Sequence, residues 1–321
     1  MAMKSIIRSQ PRFKPFYSVF KRTGIAIAAL TTAALLGLPG SSASAADPFR
    51  SENPHDIGDH TEAAFYAFFR QGDYVEAQQH LLVAAEAEAG EPMVQAMLAS
   101  LAYLEGDLDE LEARAEQTQA TASTLIAADP LRGHLYSAVG TFLEGAHLLK
   151  TQGAVRSMPT VLSMLQQVFN HLDQAERISR TDPELNVVKG YMDLLLAVNL
   201  PFANPQQAIE RLESYGNPPY LTQRGLALAY RDLEQYDKAL TAINKALDAA
   251  ANNPELLGLQ GQIYARLGQR EDSLASYETA LTYQEQLPTQ IALQLQYEHC
   301  KVADILPNSE CFAQFEAGSF E

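Results

Sequence analysis

Residues able to do chemistry are few in this chain and thinly spread. The densest group is His55-Asp56-Ile57-Gly58-Asp59-His60, which sets two imidazoles and two carboxylates within six residues, ligand types that a divalent metal accepts. Asp and His are equally at home in a polar leader and at the start of a helix, where this group falls, so no metal is expected there. His134, His147 and His171 sit singly in helical patterns and read as surface or packing histidines. Cys300 and Cys311 are the only two cysteines, and with His299 alone beside them they make no metal-ligand set. There is no Gly-rich phosphate loop, nucleophile elbow, His-Glu-x-x-His helix or Cys-x-x-Cys pair. The pattern weighs against an enzyme and calls for no cofactor.

The N-terminus carries a different kind of signal. Lys4, Arg8, Arg12, Lys14, Lys21 and Arg22 precede an apolar run from Gly24 to Leu38, and Pro39-Gly40 leads to small residues ending in Ala43-Ser44-Ala45. Basic, apolar and small-residue segments in that order read as a secretory signal peptide over 1–45. An uncleaved anchor would need a longer apolar span, and Lys21-Arg22 is not the Arg-Arg of a twin-arginine signal. Export is therefore expected, to a periplasm first, with a thylakoid-type lumen or the extracellular space as other destinations. Losing six basic residues and no acid moves the formal charge from −16 to −22, leaving 17 Lys and Arg against 39 acids. Nucleic acid is a poor partner for such a surface, as is an anionic membrane, and no stable membrane insertion is expected after processing. In an oxidising compartment Cys300 and Cys311 are expected to pair across the turn at Leu306-Pro307-Asn308, a closure contributing about 2–3 kcal/mol in the loop-entropy account.

The elements that would position any binding residues are helices, and they repeat. A shift of 34 residues lays Tyr230 on Tyr264, Ala239 on Ser273, Leu240 on Leu274, Ala246 on Ala280, Leu247 on Leu281 and Ala227 on Gly261. Apolar residues within each unit recur three and four apart, broken by Glu234-Gln235 or Gly268-Gln269. The same interval carries Gly72-Asp73-Tyr74 onto Gly106-Asp107-Leu108. These 34-residue helix-turn-helix units resemble the tetratricopeptide repeat, whose antiparallel helix pairs stack into a superhelix and bind proteins along the concave side.

The resemblance implies an all-α superhelical solenoid of about six antiparallel helix pairs and a C-terminal capping helix. After the signal peptide, 46–58 reads as an extended or mobile leader, and 58–125 as two repeat-like units whose first helix Asp59 caps with help from Glu62. Irregular hairpins follow over 126–219, with helices from Pro130 to Lys150 and from Pro159 to Arg180 and a lengthened loop at 199–205. Two clear repeats occupy 220–287, a capping helix 288–306 and a tail 307–321. Ala227 and Gly261 mark close helix approaches, because the 34-residue match keeps both small.

The resemblance also selects inner-face positions: Leu221, Arg224, Leu228 and Arg231 on one helix, Arg266 on the next unit, and Tyr66, Phe69, Arg70 and Tyr103 in the first two units. Chaperone-binding members of the family hold a terminal carboxylate with Lys, Asn and Arg there; this chain departs from them at Leu228, where that clamp would want Asn. The expected partner is a protein or peptide, with its carboxylates on the arginines and its apolar groups on the aromatics. The competing account has the arginines paired with acids of their own helices, such as Asp232 and Glu234. An alternative function, a small-ligand binder or enzyme, would need a polar pocket in the central hairpins.

Overall fold

The computed structural model describes residues 47–199, 205–304, 307–318 and 320. The signal peptide reading and the loop at 200–204 lie outside them. Six consecutive helix pairs follow one another: α1 (Asp59–Phe65, continued by a π-helical turn Tyr66–Gln71) with α2 (Tyr74–Ala87); α3 (Pro92–Glu105) with α4 (Leu108–Leu125); α5 (Pro130–Gln152) with α6 (Ala154–Ile178); α7 (Pro183–Asn199) with α8 (Pro205–Tyr215); α9 (Pro219–Asp232) with α10 (Tyr236–Ala249); and α11 (Pro254–Leu267) with α12 (Arg270–Leu281). A 3-10 turn at Gln284–Gln286 leads to α13 (Thr289–Ala303) and α14 (Asn308–Ala317), and no strand occurs among the described residues. The fold is an all-α repeat solenoid.

Local chemistry explains the boundaries. Four helices open with an acceptor side chain followed by proline: Glu91-Pro92, Asp129-Pro130, Asp182-Pro183 and Asn253-Pro254. In each the side-chain oxygen accepts a backbone N–H of the first turn, at 2.9 Å from Met93, 3.0 Å from Arg132, 2.9 Å from Leu185 and 3.0 Å from Glu255. Proline suits the first helical position because its missing N–H would have no helical partner. Gly72 and Gly106 close the first helices of the first two pairs in the left-handed region, at φ 69° and 77°, and Asp73 and Asp107 then cap the second helices.

One continuous apolar core runs through the pairs, from Phe65 and Leu81 through Leu111, Leu135 and Leu172 to Leu212, Ile243, Leu256 and Ile263. The small positions do what their spacing predicts. Ala227 is wholly buried, and a Cβ on Gly261 would stand 2.9 Å from the Tyr277 ring. Ala227→Leu is expected to overpack the α9–α10 contact and lower stability by about 1–3 kcal/mol; an unchanged thermal midpoint would contradict that phase of the repeat.

Several expectations need correction. The leader is anchored rather than mobile: Asp47, Phe49 and Ile57 are buried, and Asn217 Nδ2 donates to the Phe49 carbonyl at 2.8 Å. Asp59 is not the cap of α1. Glu88, at the far end of α2, instead accepts from His60 N at 2.9 Å and Thr61 N at 2.8 Å, and Gly58 admits it because a Cβ there would lie 2.2 Å from that carboxyl carbon. α6 starts at Ala154 and carries Pro159 inside it. The segment after 307 is a helix, not a tail, tied to α13 by the Cys300–Cys311 disulfide, so α13 and α14 form a terminal hairpin where a single capping helix was expected.

The largest difference is in the winding. The turn between α1 and α2 packs on the start of α11: Asn253 Nδ2 donates to the Phe69 and Arg70 carbonyls at 3.2 and 3.3 Å, and Arg70 Nε donates to the Ala249 carbonyl at 3.2 Å. α3 is buried on nearly every side and touches α13 as well as α4 and α5. The superhelix thus brings its first pair against its fifth and sixth, and the groove is not open along its whole length.

Candidate functional site

The nine positions selected from the inner faces separate into two groups, with Tyr103 apart from both. Tyr66, Phe69 and Arg70 belong to the contact just described. Arg70 lies 6.0 Å above the Tyr66 ring, and Phe69 packs on Phe65 and Phe68 with ring centroids 4.8 and 4.6 Å apart. Arg224 joins them. Its Nη2 donates to Glu255 Oε2 at 2.7 Å, while the Tyr74 hydroxyl donates to Glu255 Oε1 at 2.5 Å. Burial opposes the Arg224 charge most, but Glu255, Tyr191 and Tyr74 together outweigh it and raise the guanidinium's pKa. Arg224 is therefore already committed to an internal carboxylate that comes from the next unit, not from its own helix, and it does not offer its fork to a partner. Leu221 is buried and Leu228 is partly buried against the core.

The second group is Arg231 and Arg266. Arg231, partly exposed, donates Nη1 to Gln262 Oε1 at 2.7 Å and Nε to Asp232 Oδ1 at 2.8 Å, so it pairs with the acid of its own helix as the competing account expected, and Arg266, one repeat on, is exposed. Both lie within electrostatic reach of Tyr277, as does Glu298. The Tyr277 hydroxyl is buried with no hydrogen-bond partner among the described residues, and burial first, then Glu298, pushes its pKa up against the two arginines. Arg231, Gln262 and Arg266 lie on two successive repeats over the buried Tyr277. Tyr103 is remote from them and lies under Lys150, 4.5 Å from ring centroid to Nζ.

The histidines fall differently from their sequence pattern. His55 bridges Asp47 and Asp129 at 3.0 and 3.1 Å, while His60 stands beside His80, so the six-residue group does not converge. His134 and His171, read as scattered, meet with their Nδ1 atoms 3.2 Å apart between α5 and α6. Burial, then the neighbouring imidazole, lowers the His171 pKa. No set of three His, Cys, Asp or Glu side chains among the described residues is arranged for a metal.

Sequence reasoning missed a buried charged network. Arg132 grips Glu91 with both terminal nitrogens at 2.9 and 2.7 Å and donates Nε to Glu184 at 3.1 Å. Glu184 also accepts from the Tyr136 hydroxyl at 2.7 Å, and Arg50 reaches Asp182 at 2.8 Å. The network ties the leader to α3, α5 and α7. Only the acid-proline pairs hinted at it.

Among the described residues, one depression of about 470 Å³ lies between Gln284, Leu293 and Phe320 and another of about 280 Å³ between Ala89, Gln95 and Thr121. Neither lies between α5 and α8, where a ligand pocket was the alternative. No helix among the described residues is long and apolar enough to cross a membrane.

Residues 225–253 and 254–287 match the tetratricopeptide repeat family. No curated protein matches the chain. Among solved structures, the crystal structure of PilW, described as a widely conserved type IV pilus biogenesis factor, is similar with a TM-score of 0.44 and 15% identity, covering 70% of this chain and 90% of that one.

Proposed function

We propose that this chain, with tetratricopeptide repeats at 225–287, is an exported interaction scaffold that binds an acidic or C-terminal segment of a protein partner at Arg231, Gln262 and Arg266. The observation carrying this reading is that guanidinium groups recur on successive repeats, Arg266 exposed and Arg231 partly exposed, in a chain whose formal charge is −16. Guanidinium donors suit a carboxylate, and charge-assisted hydrogen bonds to it are worth about 1.5–3 kcal/mol each. Export is supported by the order of segments in 1–45 and by the disulfide, which belongs to an oxidising compartment.

The test uses a pool of labelled peptides ending in Asp or Glu, offered as free acids and as amides. The free acids should bind, and Arg231→Ala with Arg266→Ala should weaken them at least about tenfold, or 1.4 kcal/mol, with the circular dichroism unchanged. Equal retention of acids and amides, or indifference to the double substitution, would remove the site.

A further inference from the structure

We propose that α6 is a self-association seam, packing antiparallel on α6 of a second copy of this chain. Val155, Met158, Leu162, Leu165 and Phe169 follow one another at steps of three, four, three and four, the 3.5-residue period of a helix that packs lengthwise on another helix. The face that α6 turns to α5 is a separate one, through Ser157, Val168, Leu172 and Ala175, which are buried. The seam is left open: Val155 is 96% exposed, Leu162 50% and Met158 43%, while Leu165 and Phe169 are partly covered. α6 meets α7 only sparsely, so the next pair does not occupy it.

Two features identify the occupant. The seam is nearly symmetric about Leu162, with apolar residues seven and four before it and three and seven after it. An antiparallel second copy therefore sets Leu162 on Leu162, Met158 on Leu165 and Val155 on Phe169, the self-complementarity that a two-fold interface requires. Charge supplies the second argument. Two copies of so acidic a chain repel each other, yet residues 145–172 contain no Asp or Glu, the longest such stretch after residue 46. α6 is also anchored at its C-terminal end, where Glu176 pairs with Lys189 and Arg211. Antiparallel packing places the two acidic bodies at opposite ends of the seam; parallel packing would press them together.

Sedimentation velocity of the purified protein over a concentration series should show a reversible dimer. Leu162→Glu brings two carboxylates together on the axis and should raise the dissociation constant at least about tenfold; Leu162 is half exposed, so the thermal midpoint should hold. Both native cysteines are in the disulfide, so an introduced thiol has no competitor. Leu162→Cys should cross-link copies under mild oxidation, and Val155→Cys should not. A monomer at every concentration, a dimer indifferent to Leu162→Glu, or equal cross-linking of the two cysteine variants would overturn the proposal. So would binding to neutral or anionic lipid vesicles that Leu162→Glu abolishes, which would make the seam a lipid contact.

Discussion

Arg132→Met is expected to lower stability by about 3–5 kcal/mol, because it removes the cation from a buried cluster and leaves two carboxylates without it. Arg132, Glu91 and Glu184 are 3%, 7% and 1% exposed. Arg50 stands 3.7 Å from Glu184 and cannot replace three charge-assisted bonds at 2.7–3.1 Å. Burial already raises the Glu184 pKa, with Arg132 and then the Tyr136 hydroxyl offsetting it in part. In the variant that pKa should rise further. A carboxyl with a folded pKa above its unfolded value takes up a proton more readily in the folded state, so the variant's deficit should shrink as pH falls through that raised pKa. Adding Glu91→Gln and Glu184→Gln should restore most of the stability, since neutral amides need no cation. Urea unfolding at two pH values measures all of this. A loss below about 1 kcal/mol at neutral pH would mean that water reaches the cluster.

What was legible in the sequence was whatever recurs locally. The 34-residue match of Tyr230 with Tyr264 and of Ala227 with Gly261 located α9 to α12, and Gly72-Asp73 and Gly106-Asp107 located the turns of the first two pairs. These features act within one repeat, where 3.6-residue periodicity, left-handed glycines and side-chain caps decide the outcome. The contacts that shape the groove do not act there. Glu255 meets Tyr74 across 181 residues and Asn253 meets Phe69 across 184, and no spacing rule reports on such pairs, because they depend on how small rotations between repeats accumulate. Arg224, expected on the inner face, is unavailable to a partner for that reason. The leader failed similarly: Pro48, Pro54 and Gly58 look like punctuation, but Phe49 and Ile57 were the residues that mattered.

Glu255→Ala should open the closure between the ends of the superhelix. It removes the acceptor of both the Arg224 guanidinium and the Tyr74 hydroxyl, leaving a largely buried cation and a buried phenol, for an expected loss of about 2–4 kcal/mol. Tyr74→Phe removes one neutral donor and should cost about 1 kcal/mol. The position of the loss distinguishes a clasp from ordinary core damage. Hydrogen exchange in Glu255→Ala should quicken first in the segments that meet there, the turn around Gly72 and the α10–α11 junction around Asn253, while α5 keeps its protection. The capping bonds from Asn253 to Glu255 N and Leu256 N remain, so α11 itself should stay helical. Because Arg231 and Arg266 make no contact with Glu255, binding of acidic peptides should survive the substitution, whereas Arg231→Ala with Arg266→Ala should weaken binding at least about tenfold and leave exchange at the clasp unchanged. Uniformly faster exchange across all helices would show that the contact is not a separable closure, and loss of peptide binding in Glu255→Ala would move the working surface to the clasp.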